Sequence, residues 1–420
     1  MATPEITTLP GGVRVVTERL AGVRSVALGY WIGVGSRHER PDRAGVSHFI
    51  EHLLFKGSSR YDALELAELF DAMGGELNAA TSRDSTVLYT RVPDSHMGRA
   101  LDAMSDMVVA PAFADVDSER EVVLEEIAMV DDMPQDLVHD LAATAVFGDH
   151  PLGRPVIGTA AVISSITPRA LKSFHAGAYA GANVVLAAAG NVRHDALVDV
   201  VAKWLPKRSA VPKVAEPSFR GAVEPRRLFA KRSTEQYHVV LSGLGLPRGD
   251  DRRFALSVLD AILGGAASSR LFQEIREKRG MAYSVYSYTA QYAETGQVAV
   301  AFGTREENLG ECIEIVEREL VALGNGEFRP GELERAKESL HGRLLLAQES
   351  TSNRMTRLGK SLISGLELQT LAETTRRIDS VDGEQVATLA RELYAPTRFA
   401  AAGIGPKRGV FDRAVGKLTR

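Results

Sequence analysis

Along the 420 residues, short alternating runs of β-branched and polar positions give way repeatedly to longer stretches with apolar residues every three or four places. That pattern predicts strands followed by helices in both halves of the chain. The clearest case starts at Ser25, where SVALGYWIGVGSRHERPDRAGVSHFIEHLLFKGSSR reads as a strand, a charged turn with glycine, an apolar helix and a closing Ser-Ser-Arg. The same series starts at Tyr237 with YHVVLSGLGLPRGDDRRFALSVLDAILGGAASSR. Aligned without a gap, Ser47–Arg60 falls on Ser257–Arg270, and period, turn and helix end agree together. This predicts a duplicated unit. Between the copies, LPKRSAVPKVAEPSFRGAVEPR at residues 205–226 carries four prolines, many charges and little apolar periodicity, as a linker would. The expected organisation is a domain at 1–206, a linker at 207–226 and a second domain at 227–420.

The copies differ in their polar chemistry. His48 falls on Val258, Glu51 on Ala261 and His52 on Ile262, so one copy carries polar groups where the other has plain core. From Val46 to Lys56 the pattern is helical, with Phe49 and Leu53 on the apolar side. His48 and His52, at i and i+4, then project from one face. That spacing lets two imidazoles reach one ion at ~2.0–2.1 Å each. Glu51 lies on the adjoining face, close enough to serve a water without binding the ion. The order His-x-x-Glu-His is the inverted zincin motif. Two ordinary histidines sharing a helix face stay the alternative unless a third ligand exists.

The other eight histidines offer no partner by spacing, so the third ligand is sought among carboxylates. DSEREVVLEEIAMVDDM, residues 117–133, predicts a helix with Val123, Ile127 and Val130 as its apolar stripe. Glu119 and Glu126, seven apart, border that stripe, whereas Glu121 and Glu125 fall on the solvated side. A carboxylate at the border of a core is unusual unless something neutralises it. Glu126 is thus the expected ligand and Glu119 its hydrogen-bonding support.

Composition narrows the partners. A net charge of −4 gives no reason to expect nucleic acid or an anionic membrane. Cys312 is the single cysteine, which forbids an intrachain disulfide and suits a reducing compartment. It also cannot close a structural zinc site unaided. The start, MATPEITTLPGGVRVVTERL, lacks the basic and apolar runs of a signal peptide, and no run of eighteen apolar residues occurs. A cytoplasmic protein without a membrane segment is expected.

Five stretches, AGVSHFIEHLLFKG, MGGELNAATSRDSTVLY, SEREVVLEEIAMVDDMPQD, HPLGRPVIGT and SSRLFQEIREKRGMAYSVYS, are spread over both halves. They resemble the M16 inverzincin metallopeptidases, the family of pitrilysin, insulysin and the mitochondrial processing peptidases, and above all its short bacterial members. The resemblance implies an α+β fold of two homologous α/β-roll domains, with mixed or antiparallel sheets packed by helices, assembling into a clamshell dimer. It implies one Zn2+ per chain on His48, His52 and Glu126, with Glu51 as general base and Glu119 as an accessory catalytic glutamate. LNAATS matches an edge strand, so Asn78 and Ala79 would pair with substrate backbone, which gives affinity with little sequence selectivity. In IREKRGMAY, Arg276 and Tyr283 match a pair that grips the substrate carbonyl region. In double-length relatives that pair and the zinc lie in opposite half-molecules. A partner subunit would therefore supply it here, from a homodimer or from a heteromer with a separate chain.

Departures from the family pattern are small: Ala266 where a third glycine is common, and Asn353 where serine is commoner. LGGAASS is also too short to be the long glycine-rich loop of the noncatalytic mitochondrial subunit. The expected activity is zinc-dependent endoproteolysis of peptides or unfolded segments inside a chamber. The alternative is a catalytic subunit that needs a partner chain. A noncatalytic structural relative is disfavoured because all three ligands and the base are present.

Overall fold

A computed structural model describes residues 3–204, 212–219, 226–416 and 418. Residues 205–211 and 220–225, which include much of the expected linker, lie outside the described residues. The chain forms two compact units. The first draws on Met1–Ala128, Pro155–Pro217 and Leu345–Leu368, the second on Met129–Arg154, Ser218–Leu344 and Gln369–Arg420.

The first unit is built on six strands: β1 (Glu5–Thr8), β2 (Arg14–Arg19), β3 (Ser25–Ile32), β4 (Glu76–Thr81), β5 (Thr86–Pro93) and β6 (Val184–Gly190). Their order is β1-β2-β6-β3-β5-β4, with β2 and β6 parallel and every other pairing antiparallel. β3 and β6 are nearly continuous apolar runs and lie in the middle, covered on both faces. β4, with Glu76, Asn78 and Ala80 exposed, is an edge.

The second unit repeats this plan with β7 (Arg227–Lys231), β8 (Tyr237–Gly245), β9 (Ala282–Gln291), β10 (Gly296–Thr304) and β11 (Ala400–Gly405). The order β7-β11-β8-β10-β9, again with one parallel pair at β7 and β11, reproduces β2-β6-β3-β5-β4. The expected pair of α/β domains with mixed sheets is what the chain forms.

One face of the first sheet packs helices from its own half, through Leu28, Tyr30 and Ile32 against Phe49, Leu53, Leu101 and Met104. The opposite face is covered from far along the chain. Helix Thr351–Ile363 lays Met355, Leu358, Leu362 and Ile363 on Val16, Ala27, Trp31, Val185, Ala187 and Ala189. Two glycines permit this approach, since a Cβ on Gly29 would strike the Met355 sulfur and one on Gly359 the Trp31 indole. The second sheet is covered likewise by helix Pro134–Phe147, whose Val138 and Ala142 meet Val240, Ala299, Ala301, Ala402 and Ile404. A cut at 207–226 therefore separates the sheets but not the units, because each unit holds a helix drawn from the other half.

Candidate metal centre

The helix after β3 runs Val46–Leu54, two residues shorter than its pattern predicts. The Lys56 N–H still reaches the Leu53 carbonyl at 3.2 Å, but Gly57 at φ +112° turns the chain away. At its start Gly45 has φ +96° and no capping side chain of its own. The buried Glu39 carboxylate does the capping, accepting from the Gly45 N–H at 2.7 Å and the Ser47 N–H at 2.8 Å. An anion there also suits the helix dipole. With Val46, Phe49, Ile50, Leu53 and Leu54 fully buried, the rotation of the helix is fixed. His48 and His52 then stand side by side, ring centroids 4.6 Å apart.

Helix Val116–Asp131 meets them with its own border residues. Val123 and Ile127 are buried, Glu121 and Glu125 exposed, Glu119 buried and Glu126 half-buried. His48 Nε2 lies 3.5 Å and His52 Nε2 3.3 Å from Glu126 Oε2. Two atoms each ~2.0–2.1 Å from a tetrahedral zinc are necessarily about 3.3–3.4 Å apart. These contacts have the length of ligand–ligand edges around one ion, and His48, His52 and Glu126 each offer an atom within 4.8 Å of the others. Two imidazoles with one carboxylate are also a donor set suited to zinc that leaves a fourth position open. The residues fit the metal.

Burial pushes the His48 imidazole down to about 4 against the opposing field of Glu126, which favours the neutral, ligating form. His52 goes the other way. Its hydrogen bond to Glu126 raises it, burial opposes, and Glu119 raises it further. With Nε2 turned toward Glu126, His52 Nδ1 donates to Glu119 Oε1 at 2.9 Å, the outer support expected of a ligating histidine. The other Glu119 oxygen accepts from Lys56 Nζ at 2.6 Å. Glu51 is half-buried, and its Oε2 is buried with no hydrogen-bond partner among the described residues. Burial pushes its carboxyl up, while hydrogen bonding to Thr81 on β4 partly offsets this.

Asn78 and Ala79 lie on β4 opposite Tyr89 and Leu88. The Ala79 N–H donates to the Asn78 side-chain oxygen at 2.8 Å, so this edge donor already has a local acceptor. Arg276 and Tyr283 belong to the second unit. The Arg276 guanidinium lies 4.6 Å from the ring centroids of both Phe272 and Tyr283 and donates to the Tyr283 carbonyl at 3.1 Å. Tyr283 is 80% exposed.

Lys56 and Thr81 are the contacts that pattern reading missed. Lys56 carried a signal, since it continues the i, i+4 row of His48 and His52. Thr81 carried none, because it meets Glu51 only through the packing of β4 beside the helix.

A model of "Insulinase (Peptidase family M16)" matches residues 14–160, and one of "Peptidase M16 inactive domain" matches residues 165–340. An "uncharacterized zinc protease" of Mycobacterium leprae is 43% identical over 408 residues, covering 95% of this chain and 91% of the relative. Another, of Bacillus subtilis, is 40% identical over 404 residues, covering 95% and 97%. In fold, a protease from Helicobacter pylori superposes with a TM-score of 0.88 at 21% identity, covering 96% of this chain and all of that one. The peptidase M16 inactive domain from Pseudomonas fluorescens gives 0.88 at 24% identity, covering 96% and 98%. The chain belongs to the M16 peptidase family, with two M16-type domains, and zinc is the metal that family implies. No helix among the described residues is long and apolar enough to cross a membrane.

Proposed function

We propose that the chain is a zinc-dependent endopeptidase for peptides or unfolded segments, with His48, His52 and Glu126 as zinc ligands and Glu51 as general base. The observation that carries this is the approach of two imidazole nitrogens to one carboxylate oxygen, each at tetrahedral-edge spacing from it, beside a carboxylate with one unpartnered buried oxygen. When bound, zinc would supply a Lewis acid for a water and for the scissile carbonyl. Glu51 takes the water's proton during attack and returns it to the leaving amine. Its partial burial raises its basicity for that exchange. Glu119 orients His52. β4 receives the substrate as an added strand at Asn78 and Ala79, and a substrate carbonyl displaces the Asn78 side chain from the Ala79 N–H. Arg276 and Tyr283 grip the substrate carbonyl region from a second copy of the chain, a role supported by an exposed tyrosine ring stiffened under its arginine.

The test is hydrolysis of a quenched fluorescent peptide, with zinc content and sedimentation read on the same sample. Glu51→Gln should bind zinc and lose ~10²–10⁴-fold in rate. Near-normal hydrolysis by that variant would remove Glu51 from the chemistry. Mixing Glu51→Gln with Arg276→Ala chains should restore activity if the arginine acts across subunits. No recovery, with dimers present, would place it in cis.

A further inference from the structure

The face that carries His48 and His52 does not end with them. Lys56 sits four residues on, past the last regular turn, with its N–H still tied to the Leu53 carbonyl. Gly57 fixes that position, since any Cβ there would meet the Tyr61 carbonyl at 2.9 Å in a backbone of positive φ. Lys56 Nζ comes within 2.6 Å of Glu119 Oε2, while Glu119 Oε1 holds His52 Nδ1. Among the described residues, Lys56 is the only lysine or arginine paired with Glu119, whose side chain is just 6% exposed.

A carboxylate held at one oxygen can swing about its last torsion and lose its aim. Held at both, it presents a fixed acceptor. His52 has the same freedom, because a ring flip puts Cδ2 and Cε1 where Nδ1 and Nε2 stood, and the bond from Nδ1 to Glu119 holds the ring with Nε2 facing Glu126. We propose that Lys56 is a positioning residue of the metal centre: by gripping one oxygen of Glu119 it locks the other onto His52, and so sets how firmly zinc is retained. This rests on His48, His52 and Glu126 being the ligands. It adds a residue that touches neither metal nor substrate.

The measurement is the zinc dissociation constant of the full-length protein, by competition with a chromogenic chelator. It is made on wild type, Lys56→Met, Lys56→Arg, Glu119→Gln and the Lys56→Met/Glu119→Gln double variant. Loss of an outer partner of a ligating histidine typically weakens metal binding ~10–100-fold. Acting one bond further out, Lys56→Met should sit near the lower end, about tenfold. Lys56→Arg, which keeps charge and donors, should recover most of the loss. In the Glu119→Gln background Lys56→Met should add nothing further. Melting of the chelator-treated proteins separates a folding defect from this role, and Lys56→Gln is the second variant should Lys56→Met not fold. Wild-type affinity in a folded Lys56→Met protein overturns the proposal, as does an undiminished loss in the Glu119→Gln background. A wild type that binds no zinc, or a His52→Ala variant that binds it equally well, overturns the ligand assignment and the proposal with it.

Discussion

The helix after β3 and the helix after β8, Arg253–Leu263, occupy the same place beside sheets of the same order. The first presents His48, Glu51 and His52, whereas the second has Val258, Ala261 and Ile262, all inside its core. Both segments then close on an arginine held by carboxylates. Arg60 reaches Asp102 and Asp106, with the Ser58 and Ser59 hydroxyls also donating to Asp106. Arg270 reaches Glu332 and the Glu327 carbonyl. The frame is thus independent of the chemistry. An aliphatic triplet needs only the sheet beneath it. A His-Glu-His triplet needs Glu126, Glu119 and Lys56 as well, since buried polar groups without partners are costly.

The largest effect should come from moving the second unit's residues into the first. His48→Val with His52→Ile should lose specific zinc binding and hydrolysis below detection, while the chelator-treated variant melts no lower than the chelator-treated parent. A lower melting point there would show that the two helices are not interchangeable frames. The reverse exchange, Ile262→His with Ala261→Glu, should cost roughly 3–5 kcal/mol in urea unfolding, because it leaves charge buried without a partner.

Next come the arginines. Arg270 is 1% exposed, and Arg270→Ala leaves the buried Glu332 carboxylate with the Arg329 N–H but without its paired charge, so a loss of about 3–5 kcal/mol is expected. Arg60 has a side chain 38% exposed, and Ser58, Ser59 and the Arg60 N–H would still serve Asp106. Arg60→Ala should therefore cost about 1 kcal/mol. Equal losses would erase the contrast between an open and a closed anchor.

The smallest effect is in acid. Burial alone would raise Glu274, but hydrogen bonds from Lys278 and Arg279 and the charge of Arg329 hold it at about 2. A folded-state value below the ordinary 4.5 contributes stability that is complete above that pH and drains away as pH falls toward 2. Glu274→Gln should flatten the acid limb of unfolding over that window, and an unchanged slope would mean other carboxylates carry it.

Much of this was legible because it is local or periodic. The alternation of β3 and β8, the i, i+4 histidines and the seven-residue step from Glu119 to Glu126 are all set within one element, so the linear pattern exposes them. The prediction for residues 117–133 even divided its glutamates correctly between solvent and core border. What escaped depends on distant segments meeting. Thr81 finds Glu51 through the packing of a strand against a helix. Nothing in the periodicity of 351–363, an amphipathic helix like many others, announces which sheet it will cover.

That borrowed helix has a consequence for how the protein is made. As the nascent chain leaves the ribosome, β1 to β6 are complete once Gly190 emerges, yet one face of their sheet has no cover. The ~160 residues that precede the covering helix take roughly 8–30 s to synthesise at ~5–20 residues per second. Through that interval Trp31, Val185 and Ala187 face water on an unfinished sheet. The wait invites a chaperone or a wrong neighbour. A fragment released at the proline-rich segment would stay in that condition indefinitely, so the two halves of this chain are expected to express poorly apart and to rescue one another when made together.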